Sequence, residues 1–530
     1  MRTCRVLCRL FPLLFLGIPL VFPCRADTQT ADPLIFEQAG VFQPHNRIDE
    51  LLRDALTKKK MTPAPLCSDA VFVRRVYLDL IGTLPTVSEV RAFLNDSSPK
   101  KREVLIDKLL DRPEFVDYWT MQWCDVLRVK AEFPVNLWPN GALCYYNWIR
   151  DSIRTNKPYD QFARELLTSS GSNFRDGAVN FFRAVPEKNA ETLAEAVAQT
   201  FLGTRTTYWS EEKRSALALF FSRIAYKETA EWKEEIVYWD RRPLESDRLV
   251  FPDGSKKTLP PNTDPRSIFS DWLTAPSNTD FNRCVANRVW FWLLGRGLVH
   301  EPDDFREDNL PVHPELLDYL ANELVRSQYD LKHLYRMIAR SATYQQSPIA
   351  RGDAAAAQEA FAVYPIRRLE AEVMQDAMAA IFNNPLGYNS EVPEPFTYVP
   401  SRYRTILLPD ASITNPFLEM FGRSSRDTGL TSDRNNQVTE SQQLFLLNST
   451  EINAWTRKLS QGQMNQTRNR PNTAGVIVEE LWLHVLSRRA SPAERTSAAD
   501  YIAPNGRLND QRIHDLVWAL LNTDEFLCRH

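Results

Sequence analysis

The chain has 530 residues, 43% of them hydrophobic and 25% charged, the balance of a globular protein with real cores and room for two or more domains. Lys and Arg number 64 against 67 Asp and Glu, a formal net charge of −3. Setting aside the four arginines of residues 1–26, a stretch without acids, moves it to about −7, which leaves no electrostatic case for nucleic acid or an anionic membrane as partner.

The chain opens MRTCRVLCRLFPLLFLGIPLVFPCRADTQT. Arg2, Arg5 and Arg9 precede an apolar run from Leu10 to Phe22, and Cys24-Arg25-Ala26 places small residues where a signal peptidase reads. This order predicts a secretory signal over 1–26 and an exported chain, periplasmic or extracellular. A short membrane anchor and a lipid-modified Cys24 are the competing readings. The run falls short of the roughly 20 apolar residues that cross a bilayer, and Phe22 and Pro23 are bulky ahead of Cys24. No later stretch approaches that length, so no transmembrane segment is expected after cleavage. Beyond the signal stand Cys67, Cys124, Cys144, Cys284 and Cys528, an odd set with no CxxC spacing. They read as buried thiols, with a single Cys124–Cys144 bridge as the alternative.

Residues 27–45 read as an extended lead-in, after which the helical period dominates to about 226. Thr86-Val87-Ser88-Glu89 is a capping box ahead of Val90, Phe93 and Leu94. Ser98-Pro99 reads as the cap and first-turn proline of a helix striped by Leu105, Ile106, Leu109 and Leu110. Leu193, Val197 and Phe201 recur at four-residue spacing, and Gly203 stands where a C-cap glycine belongs. Residues 227–268 carry Pro243, Pro252, Pro260, Pro261 and Pro265 and read as a linker with a short hairpin turning at 251–255, FPDGS. A second helical region follows. Thr279 caps a segment holding Val285, Val289, Trp292 and Leu293, and Leu316, Leu317, Leu320 and Leu324 line another. Residues 383–437, rich in Pro, Asn, Ser and Arg, read as a long irregular insertion. Helices resume near 438, with a second capping box at Ser491-Pro492-Ala493-Glu494. The expected fold is mainly α: a helical domain over 46–226, a proline-rich linker over 227–268, and a second helical domain over 269–530 interrupted by the insertion.

The segments FVRRVYLDLIGTLPTVSEVRAFL (72–94) and KREVLIDKLLDRPEFVDYW (101–119) resemble the N-terminal half of a two-domain family common in planctomycetes, verrucomicrobia and their relatives. That family joins a PSCyt-type domain, first noted beside c-type cytochromes, to a PSD-type C-terminal domain, and both are of unknown function. The C-terminal half is similar through NRVWFWLLGRGLVHEPDDF (287–305), YDLKHLYRMIARSATYQ (329–345), RRLEAEVMQDA (367–377), FGRSSRDTGL (421–430) and LVWALLNTDEFLCRH (516–530). The resemblance implies secretion and, because members sit near secreted sulfatases and carbohydrate-degrading enzymes, work in polysaccharide use. Many members continue from FLG into CxxCHxHP, whereas this chain reads FLGTRTTYWSEEKRSALALFF (201–221). With no CxxCH in the chain, covalent haem is excluded.

The densest polar constellation is HEPDDFREDNLPVHPE, 300–315. Glu301, Asp303, Asp304 and Asp308 offer oxygen ligands for a divalent cation, and His300 extends the set toward a transition metal. Asp303 and Asp304 with His300 would then be the catalytic groups of a metal-dependent enzyme acting on a carbohydrate. The opposing reading is helix capping and solvated surface. Arg296, between Gly295 and Gly297, would bind an anion, or the two glycines end a helix and start a turn. Asn287 and Arg288 lie on the helix leading in, with Trp290 and Trp292 two residues apart and so on different sides; an exposed one would stack on a sugar. Arg402, Arg404, Arg423, Arg426 and Arg434 suit sulfate or carboxylate groups of an anionic glycan, or else pin the insertion by salt bridges. No GxSxG, phosphate-binding or dinucleotide-binding pattern is present. Two functions therefore stand: an exported non-haem module binding a protein partner or glycan in polysaccharide use, and a metal-dependent enzyme working through residues 300–313.

Overall fold

Three helices buried on nearly every side form the centre of the molecule: Asp69–Ile81, Pro113–Val126 and Thr279–Leu294. Apolar residues recur on all their faces, the pattern of a helix buried all round, and most of the charged residues among them are buried too. The structure, a computed structural model, describes residues 33–244, 246–400, 403–467 and 473–530; the signal expected at 1–26 and Arg402 lie outside them. The chain is mainly α. Trp119 and Trp123 meet Trp292 with ring centroids 5.4 and 5.3 Å apart, while Trp290 packs edge-on against Phe361 at 5.3 Å. Both indoles of the Thr279–Leu294 helix are thus core, correcting the expectation of one exposed to sugar. The helix is covered on both sides, so opposite faces no longer mean inside and outside.

A single hydrophobic core runs from Ile48 to Phe526 and takes residues from both helical regions. Buried arginines sew the regions together. Arg74 donates to the carbonyls of Val485 and Phe526, each at 2.9 Å. Arg75 donates to the carbonyls of His530, Tyr344 and Gln346 and lies 3.6 Å from the ring centre of Tyr364. Asp79, on the same helix, accepts from Arg367, Arg529, Tyr344 and Tyr364. A buried carboxylate is tolerated only with its lone pairs satisfied, and all four donors come from the C-terminal region.

The linker holds more than the expected hairpin. Strands Arg248–Val250 and Lys256–Thr258 pair around FPDGS as anticipated. Ahead of them Ile224–Glu228 and Glu235–Trp239 pair antiparallel, and Gly171–Ser172 adds to the far edge of the second. The insertion is irregular yet packed: Ile406, Leu408, Leu418 and Phe421 are buried in the common core, with short helices at Thr405–Leu407, Pro416–Met420 and Thr431–Asp433. Both capping boxes form as expected, at Thr86/Glu89 and Ser491/Glu494. Two helix starts shift. Lys101, not Pro99, opens Lys101–Leu110, and Ser98 instead accepts from Lys100 N. Asn278 rather than Thr279 caps Thr279–Leu294, accepting from Phe281 N. The five cysteines are free thiols. Among the described residues no helix is long and apolar enough to cross a membrane.

Candidate functional site

The acidic loop is held shut by its own neighbours. Asp303 is 2% exposed; its Oδ1 accepts from Arg288 at 2.8 Å, and its Oδ2 accepts from the backbone and hydroxyl of Thr431, each at 2.7 Å. Arg288 also donates to the carbonyl of Thr200 at 2.8 Å. Asn287 closes the turn before the loop, donating to Val299 O and accepting from Val299 N, both at 3.0 Å. Asp304 accepts from Arg306 at 3.1 Å. Asp308 is largely exposed beside the same arginine, and Glu301 stands half-exposed, 3.8 Å from His300. Arg296 is near the surface, 3.8 Å from Glu359, and Gly295 does end the preceding helix, with φ +74°. The predicted ligands Glu301, Asp303, Asp304 and Asp308 are not brought to one point, and among the described residues no group of three or more His, Cys, Asp or Glu side chains is placed to hold a metal. Burial, with Arg296 nearby, lowers the basicity of His300; His313 is buried on the carbonyl of Ala360, where burial again favours the neutral ring.

The arginines of the insertion turn inward. Arg426, wholly buried, donates to Asp125 Oδ1 at 2.9 Å, and Arg434 donates to Asp125 Oδ2 at 2.6 Å. Arg434 also grips Glu372 with two bonds at 2.7 and 2.9 Å. Arg423 lies 3.3 Å from Glu372 and donates to the carbonyls of Ile413 and Asp410. Burial by itself would raise the Glu372 carboxyl, but the guanidiniums of Arg434 and Arg423 hold it well below the usual range. Burial lowers Arg423 to about 10, so it stays charged at neutral pH. Asn287, Arg288 and Arg426 therefore do not face a ligand. Each is buried and bonded to groups inside the protein, and freeing one would strand a buried partner.

Over this network lies an open polar cleft of about 440 Å³. Its floor is the segment 410–414. Asp410 accepts from the backbone of Ala131 and Ser412 at 2.8 and 2.9 Å, and Ser412 Oγ accepts from Glu132 N at 3.1 Å. Asn389 and Thr414 exchange backbone bonds on the far side. Ser390, Ser412, Thr414, Ser424, Ser425 and Asn389 line the opening with Glu132, Glu391 and Glu419, and the hydroxyls of Ser424 and Ser425 donate to Asp433 at 2.9 and 3.1 Å. Burial, and then the charges of Glu391 and Asp410, raise the Glu132 carboxyl. The two cations of the lining are already paired, Lys130 to Asp427 at 2.6 Å and Arg423 to Glu372.

Residues 47–208 match the family model PSCyt2, described as a protein of unknown function (DUF1549). Residues 265–502 match PSD1, also a protein of unknown function (DUF1553). The chain belongs to the two-domain PSCyt2–PSD1 family. No curated protein and no solved structure matches it. In these terms Asp79 and Asp125 are PSCyt2 carboxylates gripped by arginines from the C-terminal side, Arg367, Arg426 and Arg434 within PSD1 and Arg529 beyond it. The cleft lies on the same seam, walled by PSCyt2 residues 130–132 and PSD1 residues 389–425. Sequence reading missed Asp125, Glu372 and Asp410. Their signal is present as acids in the apolar runs MQWCDVL, LEAEVM and ILLPDAS, one each in the first and last and Glu370 with Glu372 in the second, since an acid amid hydrophobes needs a buried partner.

Proposed function

We propose that this chain is an exported, non-haem glycan-binding protein that works in polysaccharide use, with the seam cleft as its binding site. The observation that carries this reading is the lining: hydroxyl, amide and carboxylate side chains around an open depression, the kinds of donor and acceptor that sugar hydroxyls require. The charge balance refines the expected ligand. Arg423, Arg426 and Arg434 are engaged by Asp125 and Glu372, Arg404 lies 3.5 Å from Asp376, and the unpaired groups of the cleft lining are neutral or acidic, so neutral sugar units suit it better than sulfate or carboxylate. The metal-dependent reading through 300–313 is disfavoured because Asp303 already serves Arg288 and Thr431. Affinity electrophoresis of residues 27–530 through gels containing xylan, agarose or polygalacturonate tests the reading. Retardation by a neutral polysaccharide that Ser425→Trp abolishes, by filling the mouth of the cleft, supports it. Equal mobility in every gel, or unchanged retardation of Ser425→Trp, rejects it. Fusing residues 1–26 to a leaderless periplasmic reporter tests export: an active reporter is expected, and an inactive cytoplasmic one contradicts it.

A further inference from the structure

A second feature, built partly from segments that continue from the cleft walls, carries chemistry that the cleft lacks. Trp232 is 63% exposed and Phe396 46%. Exposed aromatic rings this large are costly to leave in water unless something covers them. They are not scattered. Trp138 meets Trp232 with centroids 4.7 Å apart and Phe396 at 5.4 Å, and Trp232 and Phe396 are 6.0 Å apart, all steeply inclined to one another. Three separate segments contribute one ring each: the start of helix Trp138–Arg154, the turn between Glu228 and Glu235, and the insertion.

The turn that presents Trp232 is rigid. Thr229 Oγ1 donates to Glu234 at 2.6 Å, Ser172 Oγ donates to the other oxygen of Glu234 at 2.5 Å, and Asn173 accepts from Glu235 N at 2.8 Å. Lys233 follows Trp232 directly. Its ammonium lies 5.6 Å from the Trp232 ring centre and 5.9 Å from that of Trp138, and among the described residues no carboxylate forms an ion pair with it. A braced indole face beside an unpaired ammonium complements a ligand with an apolar face and a negative group.

Proximity to the cleft selects the ligand. Trp138 is six residues beyond Glu132, and Phe396 is five beyond Glu391. At no more than about 3.5 Å per residue, the backbones of Trp138 and Phe396 each lie within roughly 20 Å of the cleft wall on their own segment, a span on the scale of a short oligosaccharide. We propose that Trp232, braced by Trp138 and Phe396 and flanked by Lys233, is a second subsite that stacks on one acid-substituted sugar unit of the glycan whose neutral units occupy the cleft. The inference rests on the glycan-binding reading and adds the ligand class: a largely neutral glycan carrying isolated carboxylate or sulfate groups.

Isothermal titration of residues 27–530 with two matched pairs of oligosaccharides tests it. The pairs are xylohexaose with its glucuronate-substituted counterpart, and a sulfated carrageenan hexamer with its desulfated counterpart. The wild type is expected to bind the substituted member of at least one pair five-fold or more tightly, with the advantage shrinking as salt rises; the pair that responds identifies the acid. Trp232→Ala is expected to weaken both members of that pair ten-fold or more, Trp232→Phe to retain most affinity, and Lys233→Gln to abolish only the preference for the acid. If Trp232→Ala and Lys233→Gln bind like the wild type while Ser425→Trp does not bind, the subsite is refuted and the cleft stands. If the wild type binds none of the four, both fall. Because Trp232 is exposed, unchanged circular dichroism and melting temperature separate lost binding from lost folding.

Discussion

Asp303 illustrates how burial assigns a role to a residue. A carboxylate and a guanidinium removed from water each forfeit several kcal/mol of hydration, and their mutual attraction returns that only while both are present. Asp303 and Arg288 are both almost fully buried, so recruiting Asp303 to a metal would leave Arg288 unpaired. Asp303→Ala is accordingly expected to destabilise the protein by about 3–5 kcal/mol, read from urea unfolding, and Asp125→Ala by a similar amount. A change under about 0.5 kcal/mol, the usual scale of a surface substitution, would show that these pairs are not the clasps described here. Titration offers a check of different kind. Burial favours the neutral Glu494, but bonds from Arg488 and Ser491 outweigh it and hold the carboxyl at about 2. A depressed carboxylate contributes stability that is complete above its unfolded value near 4.5 and is lost as pH falls toward 2. His530 acts in the same direction by another cause: burial, then Arg74 and Arg75, lower it to about 3, so the unfolded chain takes up a proton below about 6.5 that the folded one refuses. Unfolding free energy should therefore fall steadily from pH 6.5 to 2. Glu494→Gln should flatten the part below pH 4.5 only; an unchanged slope there would contradict the assignment.

At the scale of elements, local signals were legible where local chemistry decides. Both capping boxes and the FPDGS hairpin were readable because their partners lie within a few residues. Ser98-Pro99 misled because Ser98 satisfies Lys100 N in a turn of its own, a competing bond open to any serine before a helix. The C-cap expected at Gly203 is present, with φ +62° after a widened helical turn over Ala198–Leu202. Its carbonyl accepts from Phe305 N at 2.8 Å, and a Cβ added there would stand 2.9 Å from the Phe305 ring and 3.1 Å from Cys284 Sγ. Gly203→Ala thus meets both backbone strain and a clash, and should lower stability by about 1–3 kcal/mol, with protease sensitivity rising around 200–205 and 300–306. An unchanged melting temperature would mean that the acidic loop is not docked on this turn. The insertion is irregular as expected, but its packing is not legible in the sequence, because Ile406, Leu408, Leu418 and Phe421 follow no sustained helical or strand period. They face a core built by distant segments, which no local pattern encodes.

At the scale of the whole molecule, the same cause hid the candidate site. The cleft exists only where residues 130–132 meet 389–425, and the aromatic subsite only where three distant segments converge. Sequence could name Arg423 and Arg426 as noteworthy but not show that Asp125 and Glu372 would claim them. A common core and carboxylates gripped across the seam also imply joint folding. The full chain is expected to unfold in one transition that tryptophan fluorescence and far-ultraviolet circular dichroism report alike. Residues 47–208 expressed alone should lack fixed tertiary packing, since Asp79 and Asp125 would lose every C-terminal arginine that serves them; two separated transitions would contradict a shared core. The central claim, that binding belongs to the seam cleft while the acidic loop is a clasp, is tested most directly by hydrogen-exchange mass spectrometry of residues 27–530 with and without saturating glucuronate-substituted xylo-oligosaccharide or sulfated carrageenan hexamer. Added protection is expected with at least one of them at 130–138, 389–396 and 411–425, and none at 300–313. Protection confined to 300–313, or none anywhere, would contradict it.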